Sequence, residues 1–260
     1  MDTSRLTVPA AVLARDLRTA LRRARDLGFR GVELDARNGL DPAHMTQTGL
    51  RQIRKWLGDE GISVSAVAFR TRGGYADPER LEGRIAATKE ALDLAHALGA
   101  GIVLNHVGDI PPEPAGPQWR LLLDVLSDIG AWGQRAGATL CAEAGRSSPD
   151  DIARLVAALP EGSLTCDLVT GALVVNGHDP AAAAERLAAH VAAVHATDAV
   201  AGPFAGRGRA VILGTGQVDF AGVLAVLEEH GFRGWIGVEP VEERSARAEL
   251  SAAIEYLRAL

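Results

Sequence analysis

Four residues of metal-ligand type end four successive apolar runs of the chain. Glu143 ends ATLCAE, Asp167 ends GSLTCD, His195 ends VAAVH and Glu239 ends GWIGVE. They lie 24, 28 and 44 positions apart, each interval roomy enough for one strand-plus-helix unit. A single histidine in an apolar strand reads most simply as a buried ring satisfied by one neighbour. Four such residues, one per neighbouring strand and all at the same strand end, converge on one point. Three carboxylates gathered there repel one another unless a proton or a cation neutralises them. One imidazole among carboxylate oxygens suits Mn2+, Mg2+, Co2+ or Zn2+. The competing reading is a salt-bridged barrel mouth with no ion. A divalent ion held there would act as a Lewis acid on a bound oxygen.

The elements that must position these residues alternate in texture. Short apolar runs occupy 31–36, 62–69, 101–107, 138–144, 162–169, 190–196 and 234–240, and an eighth, weaker run is SRLTV at 4–8. Stretches with helical spacing lie between them, at 10–27, 46–60, 78–98, 117–136, 149–158, 180–188, 219–230 and 243–258. Glycine follows a helical stretch and precedes an apolar run in LGFRG, LGAG, AGAT and HGFRG, where a helix end calls for a left-handed residue. Regular βα alternation implies a parallel sheet. Eight units in 260 residues, without a linker-like stretch, predict a single (β/α)8 barrel spanning 1–260. Chemistry in such a barrel sits at the carboxyl ends of the strands, where the four residues lie.

Composition narrows the function classes. The chain carries 27 Lys and Arg against 33 Asp and Glu, a net charge of −6, which gives nucleic acid no basic face. No apolar run approaches the ~20 residues of a membrane span. MDTSRLTVPA has no apolar core of a signal peptide. A cytoplasmic protein is expected, with Cys141 and Cys166 as buried free thiols. The expected partner is a small-molecule sugar or keto-sugar, with neither nucleic acid nor membrane; a homo-oligomer is left open.

The chain resembles the sugar phosphate isomerase/epimerase superfamily, the xylose isomerase-like barrels. LGFRGVEL 27–34, CAEAG 141–145, CDLVTGAL 166–173, VHATDA 194–199, LGTGQVDF 213–220 and GFRGWIGVE 231–239 carry the resemblance, which runs from about residue 20 to the C-terminus. It implies that Glu143, Asp167, His195 and Glu239 bind the metal and that the two glutamates exchange the substrate proton. The chain departs from the pattern twice. Ketose 3-epimerases of the group carry a histidine three residues after the aspartate that matches Asp167, and Thr170 stands there. Many relatives read His-x-Lys-Asp on the seventh strand, where this chain has His195-Ala-Thr197-Asp198.

Candidate substrate contacts follow from the same placement. Glu33 ends the second run, and His106 follows VLN much as a substrate-contacting histidine does in relatives. Arg70 and Arg72 sit on a glycine-flanked mouth loop, suited to a carboxylate or phosphate, with solvated surface arginines as the alternative. Arg207 lies in the Gly/Arg stretch 206–217 after the seventh run, a region barrels often use for phosphate; its GxG is too short to signal a dinucleotide fold. The leading expectation, on this resemblance, is a metal-dependent sugar or polyol isomerase or epimerase working by proton abstraction next to a carbonyl with a metal-stabilised enediolate. A lyase or dehydratase of a keto-sugar or keto-glycoside would share its proton abstraction, and a non-catalytic sugar-binding barrel is the second alternative. A nuclease of the endonuclease IV kind is disfavoured, because it needs a His-rich mouth and a basic face.

Overall fold

The computed structural model describes residues 5–260. Eight parallel strands close a barrel: β1 (Leu6–Pro9), β2 (Gly31–Asp35), β3 (Ser63–Ala68), β4 (Ile102–Asn105), β5 (Thr139–Ala144), β6 (Leu164–Val169), β7 (Val191–Ala196) and β10 (Trp235–Val238). β10 pairs with β1 and shuts the ring. The weak eighth run is therefore a strand, although its first residue, Ser4, lies outside the described residues.

Helices α1 (Ala10–Leu13), α2 (Leu17–Leu27), α3 (Gln47–Glu60), α4 (Leu81–Leu98), α5 (Pro117–Ala136), α6 (Pro149–Ala158), α8 (Pro180–Leu187), α9 (Phe220–Glu229) and α10 (Ala246–Ala259) run between the strands or close the chain. Capping side chains start two of them. Ser148 accepts from Asp151 N ahead of Pro149, and Asp179 accepts from Ala181 N ahead of Pro180.

Three features differ from the expected pattern. The stretch 10–27 is two helices, because Asp16 turns out of helical geometry and accepts from Thr19 N to start α2. A short helix, α7 (Thr170–Val175), follows β6 directly. The segment between β7 and α9, read only as a Gly/Arg stretch, contains an antiparallel hairpin, β8 (Asp198–Val200) with β9 (Arg209–Val211).

Two cores result. Outward strand residues such as Val32, Leu140, Leu168 and Val194 join the main cluster beneath the helices. Inside the barrel a smaller cluster gathers Ala66, Leu104, Cys141 and Ala193. Period-2 alternation then aims Glu33, Glu143, Asp167 and His195 inward, one layer above it. Both cysteines are free and buried. No helix among the described residues is long and apolar enough to cross a membrane.

Candidate active site

His195 is the centre of the site. Its Nδ1 lies 2.6 Å from Asp167 Oδ2, and its Nε2 lies 3.0 Å from Glu33 Oε2 and 3.8 Å from Glu239 Oε1. Asp167 is fully buried, and His195 and Glu33 nearly so. The ladder is irregular where two of these acids enter. The β2–β3 register shifts between Val32 and Glu33, and the β6–β7 register shifts between Cys166 and Asp167. Such bulges re-aim side chains next to active sites. Gly237 pairs with His195 across β10 and β7, and a β-carbon on it would stand 3.1 Å from the ring. The strand face opposite the histidine is bare so that the ring can lie there.

Charge is tightly coupled in this group. Burial works against the charged ring of His195, but Asp167 and Glu33 beside it hold its pKa well above the ordinary value. Burial likewise disfavours the Glu33 carboxylate, yet His195 and Arg70 keep its pKa below normal. Glu239 goes the other way: partial burial and the neighbouring Glu33 raise it, against the pull of His195.

Among the described residues, Glu33, His195 and Glu239 offer donor atoms that all lie within 4.8 Å of one another, close enough to share one cation. Asp167 Oδ1 is buried with no hydrogen-bond partner. An orphaned anionic oxygen beside a cluster of oxygen and nitrogen donors fits a divalent ion. Of the four ligands expected from sequence, His195 and Glu239 fall in the three-residue group, and Asp167 touches it through the histidine. Glu143 faces Arg70 instead, accepting from Nε at 2.5 Å. Glu33, expected as a substrate contact, belongs to the three-residue group itself. It stands midway along β2, and its acid in an apolar strand was the available signal.

Above this floor opens a cleft of about 1010 Å³, lined by Glu143, His195, Glu239, Arg70, Arg72, His106, Arg146 and Thr197 among others. Arg70 and Arg72 thus stand at the mouth. His106 also lines it, with its Nε2 bonded to the Thr71 carbonyl. Arg207 is exposed on the hairpin tip and does not line the cleft. Thr170 and Thr197, the two departures from the relatives' pattern, hold each other: Thr170 Oγ1 donates to the Thr197 carbonyl at 2.6 Å, and Thr197 Oγ1 accepts from Gly171 N at 3.0 Å. Sequence reasoning missed the role of Asp198, which accepts from the backbone N–H groups of Ala199, Gly214, Gly216 and Val218. The signal was present as an acid after the histidine strand and a later Gly-Thr-Gly.

Known proteins resemble this chain in sequence or in fold. Inosose dehydratase from Clostridium beijerinckii is 25% identical over 246 residues, covering 83% of this chain and 79% of its own length. Among solved structures, a xylose isomerase domain protein from Planctomyces limnophilus superposes with TM-score 0.85 at 24% identity, covering 98% and 95% of the two chains. A xylose isomerase-like barrel from Mycobacterium smegmatis in complex with magnesium gives 0.74 at 20%, covering 96% and 88%. D-psicose 3-epimerase with D-tagatose, from Clostridium cellulolyticum H10, gives 0.79 at 13%, covering 98% of each chain. The family model for the xylose isomerase-like TIM barrel matches residues 21–260, nearly the whole barrel with all its inward acids, and the chain belongs to that family.

Proposed function

We propose that the protein is a divalent-metal-dependent isomerase or epimerase of a sugar or polyol that works by moving a proton next to a carbonyl. One observation carries this reading. Two carboxylates, Glu143 at the end of β5 and Glu239 after β10, enter the same cleft beside a buried donor group with an orphaned aspartate oxygen. Glu33, Asp167, His195 and Glu239 would hold the ion, with Glu143 standing beside it as a base held by Arg70. A divalent ion there supplies Lewis acidity, which makes the α-proton of a bound ketone more acidic. One glutamate takes that proton from one face, and the other returns a proton to the opposite face. Asp167 fixes the orientation of the His195 ring through Nδ1. The magnesium found in one structural neighbour and the sugar in another accord with this assignment.

A second reading is favoured by one likeness. The curated relative is an inosose dehydratase, whose name implies loss of water. The same proton abstraction followed by expulsion of a hydroxyl would make this protein a lyase.

Deuterium wash-in separates the two. A panel of ketohexoses and keto-inositols is incubated in D2O with Mn2+ and followed by NMR. Deuterium entering the carbon next to the carbonyl, with no other group lost, is the expected result. Net loss of water assigns the lyase. Glu143→Gln and Glu239→Gln should each slow exchange by about 100-fold or more, the usual scale of general base catalysis. Undiminished exchange in both variants overturns glutamate-mediated transfer.

A further inference from the structure

One group in the cleft has no part in the proton transfer above. Arg70 leaves β3 and spans two acids: Nε donates to Glu143 Oε1 at 2.5 Å, and Nη1 donates to Glu33 Oε1 at 3.2 Å. Its backbone is pinned on both sides. Arg37 Nη1 donates to the Arg70 carbonyl at 2.8 Å, and Thr71 N donates to Asn105 Oδ1 at 3.0 Å. Farther along, Gly74 and Gly108 pack so closely that a β-carbon on either would stand within 2.5 Å of the other's Cα. The loops after β3 and β4 therefore form one unit. A surface arginine loses rotamer freedom when it takes a ligand; this one is ordered beforehand.

The guanidinium still has donors to spare. Of its five N–H bonds, those that reach Glu143 and Glu33 leave the second Nη1 hydrogen and both on Nη2 without a partner among the described residues. Its side chain is 43% exposed and lines the cleft. Three donors near it are engaged. His195 lies between Asp167 and Glu33, His106 Nε2 meets the Thr71 carbonyl, and Thr170 is bonded to Thr197. The strand-7 position where relatives carry a lysine is Thr197, so no cation comes from that side.

We propose that Arg70 is a catalytic residue whose unpaired Nη hydrogens bond the substrate's carbonyl oxygen and stabilise the negative charge that grows there. This rests on the proton-abstraction reading. In that step the α C–H bond breaks, the proton passes to Glu143 or Glu239, the C–H electron pair becomes the new C–C double bond, and the carbonyl π pair moves onto the oxygen. Arg70 keeps all its protons and acts by charge-assisted hydrogen bonding. Its bond to Glu143 sets that carboxylate beside the same carbon.

The test compares two four-carbon ligands by calorimetry in Mn2+, on wild type, Arg70→Gln and Arg70→Lys. Erythronohydroxamate presents an enediolate-like anion; erythritol is the uncharged polyol. Matched circular-dichroism melts and metal contents establish that the variants are folded and loaded. Arg70→Gln is expected to bind hydroxamate about 100-fold more weakly, the scale of one lost oxyanion donor, with erythritol unchanged and Arg70→Lys in between. In the D2O assay the same variant should lower kcat with little effect on KM, and added guanidinium ion should restore part of the rate. Equal loss for both ligands, loss for neither, or no preference for hydroxamate in wild type overturns the assignment. A wild type that exchanges no α-proton from any keto-sugar defeats the isomerase reading instead, and the binding pair still decides Arg70.

Discussion

A β-carbon at Gly237 would lie 3.1 Å from His195 Cδ2 and 3.2 Å from Nε2. The contact is tight rather than impossible, so Gly237→Ala should shift the ring by a few tenths of an ångström without unfolding the barrel. Misplacing an ion's neighbours costs roughly 10–100-fold in affinity, and a loss at the lower end is expected in a Mn2+ titration. His195→Ala removes a nitrogen donor outright and should cost more. His106→Ala should leave Mn2+ affinity near wild type, because that ring meets the Thr71 carbonyl and the cleft. Equal affinities in the two histidine variants would mean that His195 is a packing residue. The two histidines were distinguishable in sequence because one ends a strand whose neighbours also end in acids. The tie from Arg70 to Glu143 was not, because a loop side chain's partner depends on where two distant loops meet.

Asp198 organises the segment that follows the histidine strand. Its two oxygens accept four backbone N–H groups: Oδ1 from Ala199 at 2.8 Å and Val218 at 3.2 Å, Oδ2 from Gly214 at 3.0 Å and Gly216 at 2.7 Å. It is almost wholly buried, so its removal leaves donors unpaired inside the protein. Asp198→Ala should cost about 2–4 kcal/mol, from several bonds to a charged group, and speed amide exchange across 198–218 while Mn2+ affinity holds. Unchanged exchange there would show that the hairpin stands without it. The strands were legible from their apolar runs and the helices from their period and their caps. The hairpin was not, since RAV is too short a run to read among glycines. The break at Asp16 was hidden because apolar residues continue on both sides of it.

At the scale of the whole molecule, two groups link stability to the solution. Burial pushes the Tyr75 phenol from 10.0 up to about 12, against hydrogen bonds from Thr88 and Asn105 that favour the ionised form. An acid whose pKa is raised on folding stabilises the fold while it stays protonated in both states, so this contribution is complete below pH 10 and lost between pH 10 and 12. Its size is on the order of 2–3 kcal/mol. Tyr75→Phe removes the titration but also the hydroxyl that meets Thr88 Oγ1 and Asn105 Nδ2, each at 2.8 Å. The variant should therefore be less stable than wild type at pH 8, and the gap should narrow as pH rises toward 11. A gap that stays constant in urea melts would deny the burial effect. The barrel mouth gives the larger lever. Glu33, Asp167, His195 and Glu239 come from β2, β6, β7 and the end of β10, so an ion shared among them ties opposite sides of the ring together. A ligand that binds only the folded chain stabilises it by about 4 kcal/mol at a thousand times its dissociation constant. For a chain of this size that corresponds to a melting shift of very roughly 8–16 °C. Titrating Mn2+, Mg2+, Co2+ and Zn2+ into chelator-treated protein should raise Tm with at least one ion, reversibly on adding chelator, and His195→Ala should show little of the effect. No shift with any of the four would leave the salt-bridged mouth, with His195 as its shared cation, as the explanation for the inward acids.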